Sequence, residues 1–478
     1  MCGIICLHGQ NDDIRTDLSH RGPDECGEVT VGNTRMIFYR LAINGLGSQG
    51  MQPFLNADRT AALICNGEIF NHKELGDGVA STGSDCECLL KLMTSGDPIE
   101  QVRKIRGEFA FVFSDGVRVL AARDPLGVRP LFVSHGPGGV VRFASEMKAL
   151  RQFGKVDIFP PGCIYDNGVT SWYYEISRNV TAPTDPRGIR EGLEEAIRIR
   201  VGNTEQPVGF LLSGGLDSSI VAAVASKCLD EPIRTFSIGM EGSKDLASAK
   251  IVADYLGTKH TEILFKPEEL WDIIPNVVWS LETWDTTTIR AGTPMWVLAK
   301  WISDNTDIKV IVSGEGSDEL FGGYLYFHYA PSQEEFQEET VRRLELIHQF
   351  DGLRADRSLS AHGLELRCPF LDHKFVDHVV SIDPVHKICN SERMEKYILR
   401  EAFEGELPRE ILWRQKDGMS DGVGHGWVDF LKNMGESVYG EAFDAHFPCQ
   451  AHLISERWMP KWTDVTDPSA RVLDVKNV

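Results

Sequence analysis

Short apolar runs separated by helical repeats characterise the second half of the chain. The apolar runs cover residues 207–212, 233–239, 262–264 and 309–312, and their length is typical of buried strands. A helical pattern at residues 247–256 lies between the second and the third of these runs. This alternation predicts a doubly wound parallel sheet, whose ligands bind beyond the carboxyl ends of its strands.

The first half of the chain has a different pattern, with short strands rich in β-branched and aromatic residues. We expect strands at residues 61–65, 109–113, 117–121 and 140–144. A turn at Ser114-Asp115-Gly116 joins two of these strands directly, which favours antiparallel sheets. The first half is therefore predicted to have a different fold from the second.

A polar segment that contains prolines separates the two halves. The strand pattern fades after Tyr174, and residues 179–186 have the composition of a linker. Apolar residues then recur at helical spacing from Ile189 to Val201, and this repeat opens a second domain. We expect one domain at residues 2–175 and another at residues 187–478.

Composition narrows the class of protein. A net charge of −21 argues against a broad nucleic-acid surface, and no apolar run approaches the ~18 residues of a membrane span. The 11 cysteines show no zinc-ligand spacing, and the N-terminus lacks the long apolar core of a signal peptide. We expect a cytoplasmic protein with mostly reduced thiols that binds neither nucleic acid nor a membrane.

The turn from Ser213 to Ser219 gives the clearest chemical signal. It follows the first strand of the predicted parallel sheet, reads SGGLDSS and leads into an alanine-rich helix. Adjacent glycines let backbone N–H groups approach a ligand closely, and the N-terminus of a helix favours anions. The lysine of a kinase-type P-loop is missing from this turn, whereas Asp217 is suited to Mg²⁺. We interpret the turn as a phosphate cradle, and the alternative is a ligand-free turn of the same composition.

A second turn, rich in carboxylates, follows the strand at residues 309–312. Its acidic residues, among them Glu315 and Asp318, lie beside glycines, and such a cluster is costly unless cations or amines bind it. Asp318 could share Mg²⁺ with Asp217, and Glu315 could orient or deprotonate an attacking amine. The strand end at residues 237–239 is suited to line an adenine pocket. A solvated acidic turn and a bare strand end are the respective alternatives.

Cys2 is the candidate nucleophile of the first domain. Once the initiator methionine is removed, the thiol and a free α-amino group belong to one residue. An α-amine that titrates near ~7.7 can then act as the base. Neighbouring segments supply charged and amide groups that could hold an amino acid. The candidates are Arg40 for an α-carboxylate, Glu68 and Asp85 for an α-ammonium, and Asn66 with the Gly67 N–H for an oxyanion. Taken singly, each of these motifs is better explained as a β-turn.

Together these segments resemble the glutamine amidotransferase domain of the N-terminal nucleophile hydrolase class, an αββα sandwich that opens with MCGI. The similarity continues through residues 123–131 and 144–150. In that family the cysteine attacks the side-chain amide of glutamine and releases ammonia. The resemblance implies that Cys2 is the nucleophile and that Asn66 and Gly67 form the oxyanion hole. It implies as glutamine-binding residues Arg40, Leu41, Ala42, Ile43, Asn44, Asn66, Gly67, Glu68 and Asp85, although Asn44 stands where an aliphatic residue is common.

The SGGLDSS turn resembles the pyrophosphate loop of ATP pyrophosphatases, and the whole chain resembles the family of glutamine-hydrolysing asparagine synthetases. Motifs in family order cover nearly all of the chain. Besides the cradle they are residues 282–294, 313–324, 349–354, 365–372, 414–416 and 420–424. The resemblance implies a second domain of the ATP-pyrophosphatase type, with a doubly wound parallel sheet.

This resemblance also implies a reaction. The aspartate side chain attacks the α-phosphate of ATP, giving β-aspartyl-AMP and pyrophosphate, and ammonia from the first domain displaces AMP to give asparagine. Glu315 and Lys416 are implied as catalytic. The implied ATP-binding residues are Leu211, Ser213, Gly214, Gly215, Leu216, Asp217, Ser218, Ile238, Ser313, Gly314, Arg354 and Lys416. Aspartate is expected at Thr287, Arg290 and Asp351, and the metal at Asp217 and Asp318.

ATP and Mg²⁺ are thus the expected cofactors, aspartate and glutamine the expected partners, and a homodimer is compatible with the resemblance. Two other hypotheses fit parts of the sequence. β-Lactam synthetases and peptide-cyclising relatives keep the cradle but adenylate other carboxylates, and they often lack the N-terminal cysteine or the SGEGSDE cluster. A catalytically silent scaffold is the second. The intact residues Cys2, Asp217, Glu315, Asp318 and Lys416 argue against it.

Overall fold

A computed structural model describes residues 1–10, 12–76, 81–182, 185–390, 392–448, 450, 460 and 462. The strands of this part of the chain, β1 to β17 in chain order, are Gly3–His8, Glu25–Val31, Thr34–Arg40, Phe54–Leu55, Ala62–Ile69, Gly107–Ser114, Val119–Arg123, Phe132–His135, Val141–Ala144, Asp157–Ile158, Cys163–Asp166, Val169–Trp172, Val208–Leu211, Arg234–Gly239, Lys259–Leu264, Val310–Val312 and Glu365–Arg367.

The helices of the same residues, α1 to α19, are His72–Leu75, Cys88–Met93, Pro98–Val102, Met147–Leu150, Pro186–Gly202, Leu216–Cys228, Lys244–Leu256, Pro267–Trp271, Ile274–Leu281, Thr286–Asn305, Ser317–Phe321, Gln333–Leu346, Asp351–Ser360, His373–Val380, Tyr397–Ala402, Arg409–Leu412, Met419–Gly422, His425–Met434 and Ser437–His446. None of them has the length and hydrophobicity that crossing a membrane requires.

Two antiparallel sheets form the first half of the protein. Their strand orders are β10-β8-β9-β1-β3-β2 and β12-β11-β7-β6-β5-β4. Side chains that alternate along the strands point to one face, and they make a shared core that includes Ile4, Phe38, Ile64, Val112 and Phe143. Helices α2 and α3 contribute Leu89, Leu92 and Val102 to a second core with the outer face of the second sheet, and α4 packs on the first sheet. The predicted αββα arrangement is confirmed.

The third sheet is parallel, with strand order β15-β14-β13-β16-β17. Strand β13 lies between β14 and β16, so the order of the strands reverses beside it. Such a reversal leaves a crevice at the carboxyl ends, where ligands of doubly wound sheets bind. The predicted fold class is thereby confirmed for this half too. Helix α7 begins earlier than predicted because the Ser243 side chain caps it by accepting a hydrogen bond from the Leu246 N–H.

Buried ion pairs join the two halves. The guanidinium of Arg21 lies 2.8 Å from Glu146 and 3.0 Å from Asp356. Arg357 lies 2.6 Å from the same Glu146 and 3.0 Å from Glu282. All five side chains are at most 2% exposed. Since a buried charge without its partner is strongly destabilising, each half needs the other to keep these groups paired.

Glu282 allows a test of this network. Its carboxylate accepts hydrogen bonds from the backbone N–H groups of Met147 and Lys148 and from Arg357. Glu282→Ala removes one of the two carboxylates that pair with the buried Arg357 and the side-chain acceptor at the N-terminus of α4. We expect the free energy of unfolding to fall by roughly 3–5 kcal/mol, measured by urea denaturation with circular dichroism.

The matched control for this prediction is Glu345→Ala. Glu345 pairs with Arg178 at 2.8 Å, but both side chains are more than 40% exposed. This change should cost no more than about 1 kcal/mol. Equal losses in the two variants would contradict the claim that the buried network holds the halves together.

Candidate active sites

Cys2 lies immediately before β1, and its Sγ accepts a hydrogen bond from the Leu41 N–H at 3.4 Å. A small cavity of about 30 Å³ opens beside it. The structure brings most of the predicted glutamine-binding residues to this cavity. Those that line it are Arg40, Leu41, Ile43, Asn44, Gly67, Glu68 and Asp85. Among the described lining residues Ala42 and Asn66 are missing. The backbone of Ala42 instead bonds to Asp24 and Gln206.

Asn66 lies on β5 between Cys65 and Gly67, which both line the pocket of Cys2, and its side chain has a donor without a partner in the described part of the chain. Its side chain is 1% exposed, and within the described residues Nδ2 has no hydrogen-bond partner. A buried amide N–H without an acceptor costs free energy. A negatively charged substrate oxygen at this place would remove that cost, as an oxyanion hole requires.

Two buried carboxylates, Glu68 and Asp85, line the pocket. Burial, followed by repulsion from Asp85, raises the pKa of Glu68 well above its ordinary value. Burial also raises the pKa of Asp85, although the Ile69 N–H donates to it at 2.6 Å. A substrate ammonium between the two would relieve both effects, because it brings an opposite charge. This arrangement suits an α-amino group.

Arg40 is held at the rim of the pocket by its own neighbours. Its guanidinium donates to Glu25 at 2.5 Å and to the carbonyls of Gly45 and Gly47. The loop can approach this closely because Gly50 has no side chain. A Cβ at this position would lie 2.8 Å from Arg40 Nη2 and 2.1 Å from the Gly45 carbonyl oxygen. The guanidinium is thereby fixed before a carboxylate arrives.

With Met1 in place before Cys2, the side chain of Met1 is wholly buried. Its α-amino group donates to the Leu364 carbonyl at 3.3 Å, so the nitrogen of Cys2 lies within a peptide bond. Burial raises the pKa of the Cys2 thiol to about 11. In this state the cysteine lacks the base that its own α-amine would supply.

A larger cavity of about 180 Å³ lies at the carboxyl ends of β13, β14 and β16. The structure brings together here most of the residues predicted for ATP, aspartate and metal. Those that line the cavity are Leu211, Ser213, Asp217, Ser218, Ile238, Thr287, Ser313, Gly314, Glu315, Asp318, Asp351, Arg354 and Lys416. Among the described lining residues Gly214, Gly215, Leu216 and Arg290 are missing.

The cradle has the geometry that its glycines suggest. Gly214 adopts a φ of +68°, and a Cβ there would lie 2.3 Å from the backbone N of Ala249. The hydroxyl of Ser218 lies 3.1 Å from that of Ser213, and the Gly215 N–H donates to Ser213 at 3.2 Å. These bonds keep the turn open directly before the N-terminus of α6.

Two aspartates and two lysines meet beside the cradle. Lys396 Nζ lies 2.6 Å from Asp217 and 2.6 Å from Asp318, and Lys416 Nζ lies 2.6 Å from Asp318. Burial raises the pKa of Asp318, but the two ammonium groups outweigh it and hold that pKa below its ordinary value. Two carboxylates that face a phosphate cradle fit Mg²⁺, which proteins often bind through one or two carboxylates plus substrate phosphates.

Glu315 belongs to a separate set of ion pairs. Arg354 lies 2.8 Å from it and also pairs with Asp351. Burial nevertheless raises the pKa of Glu315 above its ordinary value. A carboxylate with a raised pKa is suited to accept a proton near neutral pH. Asp351 also accepts a hydrogen bond from Tyr324 at 3.0 Å.

Arg290 is not among the described residues that line the nucleotide cavity. Its guanidinium makes a two-pronged ion pair with Glu436, at 2.6 and 2.8 Å. Its predicted role toward aspartate stays a prediction, whereas Thr287 from the same helix does line the cavity.

Sequence reasoning missed two residues of these sites. Lys396 stands between an ordinary glutamate and tyrosine, with no glycine or turn pattern to single it out. Glu365 belongs to β17 of the parallel sheet but lines the pocket of Cys2. It lay inside a recognised motif, ELRCPFLD, without an assigned role.

The asparagine synthase family model matches residues 188–335 and 330–447, and the glutamine amidotransferase domain model matches residues 1–163. A probable glutamine-hydrolyzing asparagine synthetase of Dictyostelium discoideum is 39% identical over 99% of this chain and 99% of its own. The chain belongs to the family of glutamine-hydrolysing asparagine synthetases. Another member, asparagine synthetase 3 of Arabidopsis thaliana, is 44% identical over 91% of this chain and 81% of its own.

The resemblance drawn from the sequence is therefore confirmed. The family assignment supports neither the synthetase with a different acceptor nor the silent scaffold. Among solved structures, the glutamine phosphoribosylpyrophosphate amidotransferase from B. subtilis is 18% identical over 50% of this chain and 67% of that chain. Its TM-score is 0.31.

The state of Met1 should decide the reactivity of Cys2. In protein that retains Met1, we expect iodoacetamide to alkylate Cys2 more slowly than the exposed Cys26. Below the thiol pKa of about 11, the rate should rise about tenfold per pH unit, because only the thiolate reacts. Removal of Met1 should accelerate the reaction near neutral pH, since the released amine can take the proton.

Mass spectrometry of peptides from both forms gives these rates, with Cys26 as the internal reference. The Met1-retaining form can be made in a cell-free system with methionine aminopeptidase inhibited. Equal alkylation of Cys2 in the two forms would contradict the role given to its α-amine.

Proposed function

We propose that the protein makes asparagine from aspartate, with ATP as the energy source and glutamine as the nitrogen donor. The observation that supports this best is the presence of two built sites in one chain. One is a cysteine pocket lined by charged groups suited to an amino acid, and the other is a phosphate cradle beside paired aspartates and lysines. A family of known chemistry combines the same two modules.

In the first site, Cys2 attacks the side-chain amide of glutamine after Met1 is removed. Arg40 binds the α-carboxylate, and the paired carboxylates Glu68 and Asp85 bind the α-ammonium. The free Nδ2 of Asn66 and the Gly67 N–H stabilise the oxyanion of the tetrahedral intermediate. Ammonia and a thioester of Cys2 result, and water hydrolyses the thioester to glutamate.

In the second site, a carboxylate oxygen of aspartate attacks the α-phosphorus of ATP and pyrophosphate leaves. Ser213, Gly215 and Ser218 of the cradle hold the leaving pyrophosphate by hydrogen bonds, and Lys416 neutralises part of its charge. Asp217 and Asp318 would hold Mg²⁺, which stabilises charge on the phosphate oxygens when it is bound.

Ammonia then attacks the activated β-carbonyl of β-aspartyl-AMP. The nitrogen must lose a proton as the new bond forms, and Glu315 is placed to accept it because burial raises its pKa. AMP leaves and asparagine forms. Arg354 pairs with both Glu315 and Asp351. It therefore keeps Glu315, the proton acceptor, close to Asp351, which is expected to position aspartate.

The finer parts of the proposal rest on the resemblance. They are the division into a glutaminase domain at residues 2–175 and a synthetase domain at residues 187–478, the use of Mg²⁺, a homodimer and a cytoplasmic location. The end of the second domain, residues 463–478, lies outside the described residues.

The two chemistries should separate by substitution. Cys2→Ala is expected to abolish asparagine synthesis from glutamine but to keep synthesis from ammonium salts, because the second site is untouched. Amino-acid analysis of asparagine, with AMP and pyrophosphate assayed in the same samples, measures both reactions. The control is Cys26→Ala, which changes an exposed thiol and should keep both activities. Formation of ADP and phosphate by the wild type would refute the reaction.

The reverse separation is expected for Asp217→Ala. Loss of this carboxylate removes an acceptor for cations beside the cradle, so synthesis should fall by at least about a hundredfold from either nitrogen source. Release of glutamate from glutamine should stay measurable, because Cys2 and its pocket are unchanged. A folded variant that loses both activities would contradict the two-site scheme.

A further inference from the structure

Lys396 occupies the oxygens that a metal ion would need. Its Nζ lies 2.6 Å from Asp217 Oδ2 and 2.6 Å from Asp318 Oδ1. The other Asp318 oxygen accepts from Lys416 at 2.6 Å, and the other Asp217 oxygen accepts from Ser317 at 2.6 Å. Three of the four carboxylate oxygens of the predicted metal site therefore accept a hydrogen bond from the chain. The fourth, Asp318 Oδ1, makes only the ion-pair contact with Lys396, and it has no hydrogen bond among the described residues.

The surroundings of Lys396 fix its position. The side chain is 1% exposed, and the residue has a φ of +59° immediately before α15, a region that non-glycine residues seldom adopt. A Cβ on Gly323 would lie 1.9 Å from Lys396 Cε and 2.2 Å from Asp318 Oδ1. The glycine therefore leaves the space that the ammonium group needs in order to reach both aspartates.

The neighbouring Glu395 ties this arrangement to the second lysine. Its Oε1 accepts from the Lys416 backbone N–H at 2.9 Å and from Arg400 at 3.1 Å. Lys396 and Lys416 are thus placed by one local network. Lys396 contacts both aspartates, and Lys416 contacts Asp318. Strain in the backbone that a surrounding network maintains is often linked to function.

Charge balance decides which cation the site accepts. Two aspartates and two lysine ammonium groups already sum to zero. A free divalent ion would add two positive charges to a buried site and repel Lys396 at short range. A metal ion that arrives with a triphosphate brings compensating negative charge, and phosphate oxygens offer Lys396 a new partner.

We propose that Lys396 is an internal counter-cation that prevents Asp217 and Asp318 from binding a free divalent ion and releases them when the ion arrives with ATP. On release, its ammonium group passes from the aspartates to phosphate oxygens. The inference rests on the proposed function, because it takes these aspartates as the metal ligands. It makes metal binding conditional on nucleotide, so the two enter the site together.

Direct metal binding tests the inference without any catalysis. The probe is Mn²⁺, whose free concentration is read by electron paramagnetic resonance, added to the full chain with or without the α,β-methylene analogue of ATP. For the wild type, Mn²⁺ should bind at least about tenfold more weakly without the analogue than with it. Equal affinity in the two conditions would overturn the inference.

Lys396→Met should bind Mn²⁺ without nucleotide at least about tenfold more tightly than the wild type, because the competing ammonium group is gone. Lys396→Arg keeps the charge and should stay close to the wild type. Lys250→Met, which removes an exposed lysine paired with Asp254, is the matched control. A natively folded Lys396→Met protein with unchanged Mn²⁺ affinity would refute the inference. If the methionine variant does not fold, Lys396→Gln takes its place in the same measurement.

The two levels of the proposal fail differently. If the wild type binds no Mn²⁺ even with the ATP analogue, the metal-dependent part of the proposed function is wrong. If it binds Mn²⁺ with the analogue but the lysine variants do not differ from it in the absence of nucleotide, the role of Lys396 alone is wrong.

Discussion

The buried pairing of Arg367 with Glu68 fixes the relation between the two halves of this protein. The arginine stands on the edge strand β17 of the parallel sheet, is fully buried and reaches Glu68 of the cysteine pocket at 3.1 Å. It also pairs with Glu365 at 2.8 Å. Because an unpaired charge at such depth is so costly, the cysteine pocket keeps its charge balance only when the parallel sheet lies against it.

Strand β17 therefore contacts both sites, although it is three residues long. At its start Glu365 lines the pocket of Cys2. At its end the Arg367 carbonyl accepts from the Ser313 N–H at 3.0 Å, beside the nucleotide cavity. Shortly after it, Leu371 packs so closely on Gly316 that a Cβ there would lie 2.4 Å away. The same short strand therefore forms part of the surroundings of both sites.

Local patterns were enough to predict the parallel sheet, some strands of the antiparallel sheets and the two turns of the nucleotide cavity, whereas the family resemblance assigned most of the other lining residues. Strand periodicity and the SGGLDSS and SGEGSDE turns depend on neighbours in sequence, and the parallel sheet brings the ends of β13 and β16 together by topology alone. Lys396 could not be found in this way, because it reaches Asp217 across 179 residues and no local pattern marks it. Glu365 does lie in a recognised motif, but the motif gives no sign that its side chain lines the pocket of Cys2, far away in the sequence. Arg290 shows the converse, since its motif is local but its guanidinium pairs with Glu436.

Glu315 and Asp318 show how three residues of separation give opposite chemistry. Both are buried, and burial alone would raise both pKa values. Two lysines reverse the effect at Asp318, so that carboxylate stabilises the fold at neutral pH and loses this contribution as the pH falls through its depressed pKa. At Glu315 the single Arg354, which also pairs with Asp351, does not outweigh the effect of burial, so the pKa stays raised. Because its folded-state pKa is raised, Glu315 destabilises the fold above its unfolded pKa. In return, Glu315 can accept a proton, whereas Asp318 stays ionised and holds cations.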